Sequence, residues 1–362
     1  MRNLNTMSTT VTQQPQHSTL GEYKRWLRVS LYTILLLTGQ CTATLLGRFY
    51  FAKGGKSKWI ATSVQSAGFP ILIPLLFYSS KSTNHDFSKP KRSVMITFYL
   101  GFGLLMIAMD FLYSCGLSYL SLSTFALVCA TQLAFNGVAT YFLNSQKFTA
   151  LILNSIVVLT MSVILIALNT ESEDSTDLPK EKRLIGLFCA LAASATFALQ
   201  HSLLQFYFEK VAKTGVFSVL LRLNFYPMII ASVGAVVGLL GSGDWRSMGM
   251  EMKEFEYGRV SYVMTLVWTA ASWQIACIGM LGLIFEVSSL FSVVIGNLEL
   301  TITPILAVFV FHDKIYAVKI VAFFLAIWGF LSYIYQHYLD DQMANQDKSD
   351  DGLQVSKGEE QI

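Results

Sequence analysis

The sequence predicts an all-α integral membrane protein with ten transmembrane helices in two inverted five-helix repeats, and three observations predict it. Residues 28 to 338 form an almost unbroken series of apolar stretches, each near the ~20 residues an α-helix needs to cross a bilayer. Hydrophobic residues make up 53% of the chain and charged residues 14%, with a mean hydropathy of +0.51, whereas a soluble chain carries about a quarter charged residues. Displacing the second half by 166 residues lays Gly282-Leu283 on Gly116-Leu117, Ser289 on Ser123 and Phe291 on Phe125. Each repeat then holds an odd number of spans, so the second inserts upside down, as in many secondary transporters.

Charged or Gly-rich breaks divide the apolar series. The first half gives spans at 28 to 47, 59 to 78, 94 to 117, 121 to 144 and 149 to 169. The second gives 184 to 208, 215 to 240, 260 to 282, 286 to 311 and 316 to 338. The tightest turns fall at Ser118 to Leu120 and Leu283 to Phe285. The predicted organisation is a disordered tail at 1–27, a first repeat at 28–169, a polar connection at 170–183, a second repeat at 184–338 and an acidic tail at 339–362. The first tail is rich in Thr, Ser and Gln and lacks the apolar core of a signal peptide. In the last, Asp340, Asp341, Asp347, Asp350, Asp351, Glu359 and Glu360 outnumber Lys348 and Lys357, a composition that stays solvated.

The net charge of +3 is dispersed and predicts no nucleic-acid partner. Cys41, Cys115, Cys129, Cys189 and Cys277 all fall inside apolar spans with no CxxC pair, so neither disulfides nor a metal or other cofactor are expected. Lysines and arginines divide almost evenly between the two sets of loops, so charge alone leaves the orientation open.

A charged side chain in the middle of a span costs at least ~3 kcal/mol on insertion scales, so each one asks for a partner or a watery cavity. Glu299 lies midway through its span, after Asn297 and one turn before Thr303, and Pro304 cannot donate to the carbonyl of Leu300. Asp110 sits about two turns from the end of the third span. Either carboxyl serves as a reversible proton carrier or as an interhelical hydrogen-bond partner. Gln132 and Asn136 share a helix face at i, i+4 with Phe135 beside them, and Trp273-Gln274 repeats the combination in the eighth span. A carboxamide both donates and accepts and an aromatic ring can stack, which suits a neutral heterocycle. The same groups also serve as polar contacts between helices. Tyr113 and Asn297 complete the candidate substrate contacts. Arg222, about two turns into the seventh span, either snorkels to the interface or pairs with Asp110 or Glu299. Arg48, Glu286 and Lys314 stand at span ends, Glu286 at the favourable start of the ninth helix.

Two strings imitate enzyme motifs. Gly55-Lys56-Ser57 matches the end of a phosphate loop, but Tyr50 occupies the earlier Gly position and a transmembrane helix precedes it. Gly241-Ser242-Gly243-Asp244 contains the GxGD of intramembrane aspartyl proteases, but lies in a hydrophilic loop without a partner Asp at matching depth. His201 is the only histidine well inside a span, and no enzyme reading survives.

Several stretches resemble the plant purine permease family. They are Gly39 through Phe51, Gly54-Gly55-Lys56-Ser57-Lys58-Trp59, Gly68-Phe69-Pro70, Tyr113 through Phe135 and Gln146-Lys147-Phe148-Thr149. In the second half they are Trp273-Gln274, Phe285 through Leu290, Leu306 through Phe309, His312-Asp313-Lys314 and Trp328-Gly329-Phe330. The resemblance implies the drug/metabolite transporter fold, ten helices in two inverted halves with both termini cytosolic. It also implies proton-driven uptake of adenine-like bases, cytokinins or related N-heterocycles, including alkaloids and vitamin B6 forms, usually at the plasma membrane, with Gln132, Trp273 and Gln274 at family motif positions.

Two places depart from the family pattern. Where Arg222 and Asn224 stand, the family more often carries an acidic residue and, two later, Gln; around Leu298-Glu299-Leu300-Thr301 it is usually apolar. An acid lost at 222 and gained at 299 fits a relocated proton site, altered substrate choice or no coupling. The leading expectation is a secondary transporter whose partners are a small heterocycle, a proton and the lipid bilayer. The rivals are an anion exchanger, which needs cations facing the cavity, and a non-transporting membrane sensor. The oligomeric state is not legible.

Overall fold

The computed structural model describes residues 17–80, 92–144, 150–168, 179–207, 217–287 and 289–312, with a broken set between 317 and 339. Among the described residues every regular element is a helix. Lipid imposes this, because backbone N–H and C=O groups in hydrocarbon must be satisfied within the spanning segment or in a closed barrel. Seven segments among the described residues are long and apolar enough to cross a membrane: Tyr23–Ala52, Lys58–Tyr78, Arg92–Tyr119, Leu122–Leu143, Lys180–Leu204, Val219–Ser242 and Gly258–Glu286. Shorter apolar helices cover Leu153–Ser162 and Ile320–Gly329. The acidic tail beyond Leu339, residues 1–16, most of the 170–183 connection, Gln146 to Thr149 and Asp313-Lys314 lie outside the described residues.

In the first half the helices are α1 (His17–Ala52), α2 (Lys58–Ala67), α3 (Ile73–Ser80), α4 (Arg92–Tyr119), α5 (Leu122–Cys129), α6 (Gln132–Asn144) and α7 (Ala150–Leu168). In the second they are α8 (Lys180–Phe206), α9 (Phe217–Ser242), α10 (Met248–Glu254), α11 (Gly258–Glu286) and α12 (Ser289–Phe311).

Five expectations need correction. Helix α1 begins at His17, inside the segment expected to be a disordered tail. Its polar extension is held where the Arg25 guanidinium donates to the Glu286 carbonyl at 2.8 Å and Arg28 Nε to Glu286 Oε1 at 2.6 Å. Glu286 thus closes α11 and does not open the next helix, and the turn expected at Leu283 to Phe285 falls after it.

The span expected at 59–78 is interrupted by a 3-10 turn at Phe69–Leu72, with Pro70 at its start and Gly68 before it. Gly68 also permits a close crossing, since a Cβ there would stand 2.5 Å from the Ala270 carbonyl and from Gln274 Cγ. The span expected at 121–144 breaks between α5 and α6, where Thr131 Oγ1 donates to the Val128 carbonyl at 2.7 Å. Finally, the loop after α9 carries a 3-10 turn at Asp244–Arg246 and the helix α10, whose Glu251 is buried.

Helix starts follow local rules. Ser57 caps α2 and Ser121 caps α5, each in extended conformation, with hydroxyls accepting from Ile60 N–H and Thr124 N–H. The most extensive packing joins antiparallel α1 and α11. In lipid, helices associate mainly by van der Waals contact, which favours small residues at the seam. Gly39 supplies one: a Cβ there would lie 2.6 Å from Ala276 N and 2.8 Å from the Ser272 carbonyl.

Candidate substrate site

The broken and tightly crossed helices enclose a cavity of about 120 Å³. Its polar lining comes from Gln40 of α1, Gln65 and Ser66 of α2, Asp110 of α4, Gln200 and His201 of α8, Asn224 of α9, and Trp273 and Gln274 of α11. Apolar walls come from Leu36, Phe102, Met106, Leu204, Met228 and Met280. A side chamber of about 50 Å³, lined by Tyr113, Cys129, Gln132, Ser194 and Glu299, adjoins it and shares Gln40, Met109, Phe197 and Trp273. Among the described residues, neither lining contains a lysine or arginine.

Several lining groups have their orientation set by neighbours. Gln65 Nε2 donates to the Asp110 carbonyl at 3.0 Å and to Ser114 Oγ at 2.9 Å, which fixes α2 against α4. The His201 ring lies 4.1 Å from that of Phe197, and its Nδ1 is 3.0 Å from the Phe197 carbonyl. With the ring neutral, Nδ1–H donates there and Nε2 remains an acceptor. Trp273 meets Tyr113 edge to face at 5.7 Å, and the Tyr113 hydroxyl shares a hydrogen bond of 2.9 Å with Thr44.

Gln274 differs from these. Its side chain is fully buried, and neither its amide nitrogen nor its amide oxygen has a hydrogen-bond partner among the described residues. An unsatisfied buried polar group costs roughly 1 to 3 kcal/mol, so such a carboxamide beside a cavity is kept for something that fills it.

The candidates read from the sequence divide between these spaces. Asp110, Trp273 and Gln274 line the main cavity; Tyr113, Gln132 and Glu299 line the side chamber. Asn297 accepts a hydrogen bond from Gln132 Nε2, and Thr303 Oγ1 donates to Glu299 Oε1 at 2.6 Å. The others lie elsewhere. Asn136 accepts from Ser202 Oγ at 3.2 Å, an α6 to α8 contact, and neither it nor the half-buried Phe135 lines either space. Arg222 is exposed, while Asn224 on the same helix lines the cavity.

Gln40, Gln65, Ser66 and Gln200 were missed by the sequence reading. Their signal was a neutral carboxamide or hydroxyl inside an apolar span, without a charge to single it out.

Comparison with known proteins agrees with this chemistry. Residues 27–343 match the family model described as purine nucleobase transmembrane transport. The chain is 48% identical over 329 residues to probable purine permease 11 of Arabidopsis thaliana, covering 90% of this chain and 87% of that one. It is also 48% identical to probable purine permease 10 over 332 residues (91% and 85%) and to purine permease 21 over 331 residues (91% and 85%), both from the same plant. With its several membrane-length helices, this chain is an integral multi-pass membrane transporter and not an enzyme, and it belongs to the purine permease family.

Proposed function

We propose that this protein imports purine bases, and related N-heterocycles such as cytokinins, by proton-coupled alternating access at the plasma membrane, with both termini cytosolic. The observation that carries the substrate reading is Gln274. Gln274 lines the cavity, and rotation of its unpartnered carboxamide into that space sets one donor and one acceptor side by side, complementary to the edge of a purine ring. Trp273, at the partition between the spaces, is the stacking surface in place of Phe135, and Gln65, Gln200 and Asn224 are within the same lining. Among the described residues the linings carry the carboxyls of Asp110 and Glu299 and no lysine or arginine, which favours a neutral substrate over an anion.

The scaffold of this proposal is ten helices in two inverted five-helix repeats. Gln132 and Asn297, hydrogen-bonded to each other, are 165 residues apart, one short of the repeat offset. In a two-fold arrangement with its axis in the membrane plane, near-equivalent residues meet on the axis.

Asp110 is the leading proton carrier, because its carboxyl shares the main cavity with the substrate groups while that of Glu299 is bonded to Thr303 in the side chamber. Uptake of labelled adenine and a labelled cytokinin by transporter-deficient yeast is expected to rise at acid pH and to collapse with a protonophore. Uptake indifferent to both would refute the coupling. Uptake of neither compound above the level of cells lacking the protein would refute the substrate class.

A further inference from the structure

The Gly55-Lys56-Ser57 and Gly241-Ser242-Gly243-Asp244 strings, which match enzyme motifs only in part, lie close together in the fold. Ser57 Oγ donates to Asp244 Oδ2 at 2.7 Å. Beside them stands Glu251 of α10, 3% exposed. Its carboxylate accepts from the Tyr50 hydroxyl at 3.1 Å, the Tyr262 hydroxyl at 3.0 Å, the Ser57 N–H at 2.8 Å and the Lys56 N–H. Tyr50 and Tyr262 are themselves buried. Around this centre, Lys56 pairs with Glu254 at 2.7 Å, Lys53 pairs with Glu256 at 3.0 Å, and the Glu256 N–H donates to the Lys53 carbonyl at 3.0 Å. Apart from Tyr262 to Glu251, which are both in the second half, these contacts join residues 50–57 to residues 244–256, which means the first half of the chain to the second.

Position in the membrane gives the cluster its meaning. From Arg28, paired with Glu286, to Tyr50 along α1 is ~33 Å at ~1.5 Å per residue, about the thickness of the hydrocarbon core. The Glu251 cluster and the Arg28–Glu286 pair therefore belong to opposite faces of the bilayer. The main cavity extends from Gln40 to Leu36 on α1 and from Trp273 to Met280 on α11, in both cases toward the Arg28 face. Toward the other face, among the described residues, a narrow chamber of about 20 Å³ continues it, past Gln65 and Trp273 to Thr269 and Tyr50. Tyr50 is thus both the end wall of that chamber and a donor to Glu251.

We propose that Glu251 is the pin of a latch that holds the mouth at the Tyr50 face shut, so that this conformation serves the Arg28 face. Reaching the opposite state requires Glu251 to release the 56–57 amides and the two tyrosines. Glu251 is a positioning residue and does not touch the substrate. The latch rests on the transport reading for its purpose but not for its labelling test.

The test uses full-length protein with the five native cysteines replaced by alanine and Thr269→Cys introduced into the small chamber. A membrane-impermeant thiol reagent is applied from each face of sealed vesicles without substrate. Glu251→Gln keeps the shape but removes the charge to which four donors point. It is expected to raise labelling from the Tyr50 face by about tenfold or more, since charge-assisted hydrogen bonds each carry at least a factor of that order. Lys253→Gln, on the exposed side of α10, is expected to leave it unchanged. Labelling unaltered by Glu251→Gln in protein that still melts cooperatively would overturn the latch.

A Ser57→Cys, Asp244→Cys pair covers the case in which Glu251→Gln does not fold. Oxidising the pair to a cross-link is expected to stop purine uptake, with recovery on reduction, and uptake persisting under complete cross-linking would overturn the proposal. If the reduced pair and the parent carry no purine at all, the transport reading fails, and the labelling result still decides the latch.

Discussion

Replacing Gln274 by leucine separates a binding role from a structural one, because the two predict opposite signs. The side chain is wholly buried with both polar atoms unpartnered among the described residues, so the empty protein bears the desolvation of an amide donor and an amide acceptor. At roughly 1 to 3 kcal/mol per unsatisfied group, and with leucine of similar volume, Gln274→Leu is expected to stabilise the empty protein by about 1 kcal/mol or more. Substrate binding loses two hydrogen bonds of ~0.5 to 1.5 kcal/mol each, a weakening of roughly 5- to 150-fold in Kd. A thermal melt of purified protein with and without adenine reads both effects. The variant's ligand-free Tm is expected to rise, while the shift on adding adenine shrinks or vanishes. A Tm that falls, together with an undiminished adenine shift, would refute the reasoning, since it would mean that the carboxamide is satisfied within the fold and ignores the ligand.

Asp110→Asn keeps the shape and the neutral state of the carboxyl but cannot release a proton; uptake is expected to lose its dependence on external pH, whereas Glu299→Gln retains it, as read from initial rates at two pH values. Gly39→Val drives a branched side chain into the Ala276 and Ser272 backbone and is expected to cost ~3 kcal/mol or more by forcing α1 from α11, seen as loss of the monodisperse peak in size-exclusion chromatography. Arg28→Ala removes a pair whose arginine is half exposed, so its effect on stability is expected to stay within about 1 kcal/mol and the Tm to move by only a few degrees.

Local pattern and tertiary contact contributed differently to the site. Trp273-Gln274 and Asp110 were legible because aromatic, amide and carboxyl groups inside apolar runs are costly, and all three line the cavity. Gln132 and Asn136 show where periodicity stops helping. They share a helix face, yet one meets Asn297 of α12 beside the side chamber and the other meets Ser202 on α8, partners that the spacing within α6 does not reveal. Glu286 was read as the start of a helix because Leu283 to Phe285 offered the nearest break. Its grip on Arg28, 258 residues away, instead holds it at the end of α11.

The residues alone determined that the chain is helical and crosses a bilayer many times, since the solvent leaves the backbone no other way to satisfy its hydrogen bonds and ~20 apolar residues suffice to announce each crossing. They also announced the family, through motifs spread along both halves. Only the tertiary structure decided which polar groups share a cavity, and that a carboxylate in what read as a hydrophilic loop is buried under two tyrosines. Glu251 has partners about 200 residues away as well as nearby, and nothing in its local sequence distinguishes an acid that water will surround from one that the other half of the molecule will cover.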